Sequence, residues 1–385
     1  MKTVYFDYNA TTPLDPAVRE AMLPLLDQVW GNPSSVHRVG RRARSLLDEA
    51  HERAARVLGC KPSEVVFTSG GTESANLAIL GTARLLKSQG RHLITSAIEH
   101  HAVLHACDYL ARKEGFDLTL LPVDREGFVA PEDLKKALRP DTILVSVMAA
   151  NNEIGTIQPV AELGAICREH GVKFHTDAVQ WFGKEGFANL DQFNADLVSI
   201  CAHKIHGPKG AGALYVRSPL QPDPILFGGG HENERRAGTE NLAGIAGLVA
   251  ALERFVREPV FPRNHLLSLT HRLAAFLGGL EGVALLGPRD RRLANTVSFA
   301  VAGTDSIALL AALDLEGVCA SSGSACSAGS LEPSHVVRAL GLGEELAHSL
   351  VRFSLGREST EAEVAQVEQV LPEILRRVRS APRGR

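Results

Sequence analysis

Between about residue 60 and residue 216 the chain alternates short β-rich runs with helical stretches, and this alternation limits its possible folds more than any other feature. Residues 65–68, 92–95, 142–148, 172–175, 196–200 and 212–216 read as strands, with helical patterns after the first two. Strands separated by helices predict a mostly parallel sheet covered on both faces. Such sheets bind ligands in the crevice beyond the carboxyl ends of their strands. Pro219, Pro222 and Pro224 interrupt the pattern, and Gly228-Gly229-Gly230 reads as a loop. After a helix over residues 241–256 come shorter strands and helices, ending in an amphipathic helix that starts at the capping box Thr360-Glu361-Ala362-Glu363. Residues from about 260 onward read as a smaller α+β domain.

A chain of 385 residues exceeds what one hydrophobic core usually serves, which agrees with two domains. The formal net charge of -3 implies no direct nucleic-acid contact and no attraction to anionic membranes. No apolar run is long enough to span a bilayer and the first residues carry no signal-peptide pattern, so a cytoplasmic location is expected. Six cysteines, at 60, 107, 167, 201, 319 and 326, form no C-x-x-C pair, which disfavours a metal site. Most of them are expected as small buried residues. The arginines from Arg376 onward read as a solvated tail.

Three motifs follow predicted strands. Ser69-Gly70-Gly71-Thr72-Glu73 opens a helix, where backbone amides and the helix N-terminus suit a phosphate. Asp177, at a strand end in Phe174-His175-Thr176-Asp177, offers a carboxylate to a cofactor's pyridine nitrogen; its plain alternative is a helix N-cap. Lys204, in Ala202-His203-Lys204-Ile205-His206-Gly207-Pro208, offers an amine for a Schiff base, with Lys209 as local competitor. A phosphate cradle, a carboxylate and an amine on one sheet are what pyridoxal 5'-phosphate (PLP) requires. A fourth motif, Ser321-Ser322-Gly323-Ser324-Ala325-Cys326, is too poor in apolar bulk for a core and places a thiol in a solvent-facing loop.

With these residues the sequence resembles the cysteine desulfurases, PLP enzymes of the class-V aminotransferase group. The likeness runs from Tyr5-Phe6-Asp7-Tyr8-Asn9-Ala10-Thr11-Thr12-Pro13 to Arg352-Phe353-Ser354-Leu355-Gly356-Arg357. It implies a PLP-transferase-like α/β fold, with a large PLP-binding domain over 15–258 and a small α+β domain formed by 1–14 and 259–385. It also implies conversion of L-cysteine to L-alanine, with the sulfur held as a persulfide on Cys326. That sulfur would pass to acceptor proteins, a cluster scaffold or a tRNA-thiolating enzyme. By the same resemblance Lys204 carries the cofactor, Asp177 pairs with its ring nitrogen and Gln180 donates to its phenolic oxygen. His100 stacks on the ring and helps move protons, and His101 is its surface neighbour. Gly71, Thr72 and His203 hold the phosphate, joined by Thr239 of a second subunit, hence a homodimer. Asn152 and Arg352 clamp the substrate carboxylate. Cys201 stands where the family usually has a phosphate-binding serine, and a thiol is the weaker donor. Rival activities on the same fold are a selenocysteine lyase, another PLP lyase or an aminotransferase.

Overall fold

The computed structural model describes residues 3–323 and 333–380. A seven-stranded sheet fills the centre, in the order β2 (Val65–Thr68), β8 (Gly212–Val216), β7 (Leu197–Cys201), β6 (Lys173–Asp177), β5 (Thr142–Ser146), β3 (His92–Ser96) and β4 (Asp117–Leu121). β4, β3, β5, β6 and β7 are parallel, while β8 runs antiparallel to both of its neighbours. β5, β7 and β8 are buried at every position, which fits strands covered on both faces. The fold is thus α/β with a mostly parallel sheet flanked by helices, as the alternation predicts.

All six strand readings overlap observed strands of this sheet, with β2 at its edge and antiparallel to β8. β4 has no counterpart among the sequence readings. Its first four positions are exposed or half-buried, so it lacks a central strand's continuous apolar run.

Two smaller sheets follow. β12 (Leu350–Ser354), β10 (Thr296–Val301) and β9 (Val283–Leu286) are antiparallel. β1 (Val4–Tyr5) pairs in parallel with β11 (Val318–Cys319), which brings the N-terminal segment beside the late elements. Helix Leu242–Phe255 starts at the Asn241 cap, and helix Glu361–Ser380 follows the expected capping box, with Thr360 and Glu363 bonded both ways. From β1 the chain crosses the carboxyl ends of β6 and β7. The Thr12 N–H and hydroxyl both donate to the His203 carbonyl, at 3.0 and 2.9 Å.

Candidate active site

β6 ends at Asp177 and β7 at Cys201, and a short turn, Ala202–Lys204, follows β7. Side chains leaving neighbouring parallel strands at the same end converge. Gly71, Thr72, His100, Asn152, Asp177, Gln180, His203, Lys204 and Arg352 accordingly line one cavity of about 180 Å³. The Lys204 amine donates to the carbonyls of Asn9 and Ala10, at 2.6 and 2.7 Å. Lys209 lies outside this cavity, on the neighbouring recess by Ser69–Glu73.

Burial sets the charges. Asp177 accepts the N–H of Val179 at 3.0 Å, and burial pushes its carboxyl up to about 6 despite the pull of Lys204. It has no ion pair among the described residues, so it is a buried carboxylate that faces the cavity without a cation in contact. His100 caps helix His101–Glu114. Its Nδ1 accepts the Ala102 N–H at 3.1 Å, which leaves the neutral ring's proton on Nε2. Burial, then the Lys204 charge, holds its pKa down to about 4. Burial likewise lowers His203 to about 4. Behind Asp177, His175 sits between the hydroxyls of Ser146 and Ser199, at 2.8 and 2.9 Å, and burial lowers it to about 3. Glu99 is buried, and that burial pushes its carboxyl up to about 8, which favours the protonated form.

At the other end of the cavity the helical run from Gly71 to Leu86 begins, with Gly71 and Thr72 on the cavity wall. Gly71 is required by packing, since a Cβ there would fall 2.8 Å from Cγ2 of Val179. Gly212 lets β8 close on Gly70, whose Cα a Cβ at 212 would approach to 2.6 Å. These residues fit PLP: an amine for its aldehyde, a buried carboxylate that needs a cation, and a glycine cradle at a helix start for its phosphate.

Comparison with known proteins agrees. The family model described as aminotransferase class-V matches residues 4–367. A curated protein named cysteine desulfurase IscS from Dictyoglomus turgidum is 50% identical, covering 98% of this chain and 96% of its own. One of the same name from Methanosarcina thermophila is 46% identical, over 98% and 93%. The chain belongs to the cysteine desulfurase family. Its cofactor is PLP. Among solved structures, a NifS-like protein superposes with a TM-score of 0.90 at 38% identity, covering 97% of this chain and 99% of that one. SspA in complex with cysteine gives 0.81 at 36%, over 93% and 100%.

Within this desulfurase-family site, Arg352 is 1% exposed and held on several sides. One terminal nitrogen pairs with Asp7 at 2.7 Å; the other donates to the carbonyls of Asn152, at 2.8 Å, and Gly323. Its Nε is buried without a hydrogen-bond partner among the described residues. Thr239 does not line the cavity; its loop is tied to the cradle by Arg236 on Glu73 at 2.8 Å. Cys201 lines the cavity next to Gly71, with its thiol pushed up by burial. Cys326 lies outside the described residues. Sequence reasoning assigned no role to Asn9, Ala10, Asp7 or Lys184. Asn9 and Asp7 sat in a quoted stretch, but nothing local said that they would meet Lys204 and Arg352.

Proposed function

We propose that the chain converts L-cysteine to L-alanine and holds the sulfur as a persulfide on Cys326. What carries the reading is the meeting of the Lys204 amine, the Asp177 carboxylate and the neutral His100 ring on one cavity. Bound there, PLP supplies an aldehyde for amines and a ring that draws electrons from the substrate's α-carbon. Asp177 faces the ring nitrogen and Gln180 the phenolic oxygen. Gly71, Thr72 and His203 take the phosphate, with Thr239 of a second copy. Lys204 moves the α-proton at Nζ. His100 would lie against the ring, with Nε2 as its donor. To accept a proton at Nδ1 it would have to give up the Ala102 N–H. Asn152 and Arg352 would receive the carboxylate, which displaces the Gly323 carbonyl from the terminal nitrogen of Arg352.

At Cys326 an S–S bond forms as the substrate's Cβ–Sγ bond breaks. The electron pair stays with the carbon, which gains a proton, so cysteine and thiol become alanine and persulfide. The other cysteines support this assignment. Burial pushes the thiols of Cys60, Cys107, Cys167, Cys201 and Cys319 up, away from the reactive thiolate.

The enzyme would act in the cytoplasm as a homodimer and pass sulfur to proteins that build iron–sulfur clusters or thiolated tRNA. No helix among the described residues is long and apolar enough to cross a membrane. Exposed Trp30, Val36 and Phe227 support the dimer. Ser34 bonds His231 at 3.2 Å, so this apolar surface adjoins the loop carrying Thr239. We divide the chain into a large domain, 15–258, and a small one, 1–14 with 259–385. The test is Cys326→Ser. The variant should stay yellow with PLP yet yield no sulfide from cysteine under limiting reductant; full turnover would reject the persulfide. Lys204→Ala should lose the yellow absorbance.

A further inference from the structure

A lysine with no part in the reading above is buried behind the cavity. Lys184 is 3% exposed and has no ion pair among the described residues. Its amine donates to Oδ1 of Asn9 at 2.6 Å and to Oε1 of Gln180, and lies 5.1 Å from the centre of the Phe261 ring. Gly183, at φ +73°, makes the reversal that brings this side chain back under Gln180. A Cβ at 183 would stand 2.7 Å from Cγ2 of Ile205. Burial holds its amine well below the usual lysine range, a cost that mere space-filling does not account for.

We propose that Lys184 is a positioning residue: it fixes the Gln180 amide so that an N–H, not the carbonyl, faces the cofactor's phenolic oxygen. The inference rests on reading the cavity as the PLP site. An amide has one acceptor and two N–H donors. Lys184 occupies the acceptor of Gln180, and one N–H goes to the Asn9 carbonyl at 3.0 Å. The second N–H is left for the cavity that Gln180 lines. Turning the amide over would take its acceptor away from the Lys184 amine and set its carbonyl against the Asn9 carbonyl, losing both bonds. The same Asn9 carbonyl also accepts the Lys204 amine, so Lys184 braces the acceptor that holds the reactive nitrogen.

The test uses the full chain loaded with PLP and follows the pH at which its yellow absorbance is half lost. A donor on the phenolic oxygen favours the anion there and lets the lysine-bound cofactor lose its proton at lower pH. Lys184→Met, close in shape but without a donor, should raise that midpoint by roughly half to one pH unit, the worth of one net hydrogen bond. Lys184→Gln restores a neutral donor and should titrate with the wild type. In a Gln180→Leu background, Lys184→Met should shift nothing further. An unmoved midpoint in Lys184→Met, a Lys184→Gln protein behaving like Lys184→Met, or an undiminished shift in the Gln180→Leu background would each overturn the proposal. The functional reading fails separately: a wild type that turns yellow with PLP but releases no alanine from cysteine rejects desulfuration and leaves the Lys184 assignment standing.

Discussion

Asp7→Ala should be among the more damaging single changes outside the residues that touch the cofactor. Arg352 is 1% exposed, and its charge partner Asp7 lies 2.7 Å away. At an effective dielectric of about 20, that separation corresponds to roughly 6 kcal/mol of attraction before desolvation. Removing one member of a buried pair typically costs about 3–5 kcal/mol, because the survivor is left charged and dry. The Asp7 side chain is 19% exposed, so water entering the vacated space should rehydrate part of the guanidinium. The expected loss is therefore near the low end, about 3 kcal/mol. Urea unfolding of the PLP-loaded protein, followed by both cofactor absorbance and far-UV dichroism, measures it. The KM for cysteine should rise more than kcat falls, since Arg352 loses the group that orients it. In an Arg352→Met background no charge is stranded, and Asp7→Ala should cost far less. A loss below about 1 kcal/mol, or the same loss in both backgrounds, would refute the account.

Gly71→Ala should weaken PLP binding at least ~10-fold by pushing the cradle off Val179, and Val179→Ala should recover much of it; fluorescence titration with PLP reads both. Stability should fall as pH drops from about 6.5 toward 4, because burial holds His175 near 3 and His206 near 4 in the folded chain. Below 6.5 the unfolded chain takes protons that these rings refuse, so each contributes a loss of about 1.4 kcal/mol per pH unit. His175→Gln should flatten the slope of urea stability against pH by about one proton; an unchanged slope would show that His175 does not titrate this way.

Lys204, Asp177 and Gly71 were legible in the sequence because each follows a strand in one sheet, and a parallel sheet brings strand ends together whatever the strand order. That order, and the reversal of β8, depend on pairings no local pattern records. Lys184 was invisible for a related reason. Seven residues after Asp177 in a turn, it reads as solvated until Asn9, 175 positions earlier, is placed on its amine. The state of His100 was equally hidden, because its tautomer is set by a main-chain N–H two residues on.

The crossing of residues 7–12 over the sheet has a practical consequence. Two peptide oxygens from this stretch cradle the Lys204 nitrogen, which we propose carries the cofactor. Trimming the first dozen residues would thus take away part of the catalytic floor without altering a single strand of the central sheet. The truncated enzyme should lose its colour and, with buried Val4 and Phe6 and the Asp7–Arg352 pair gone, part of its stability with it.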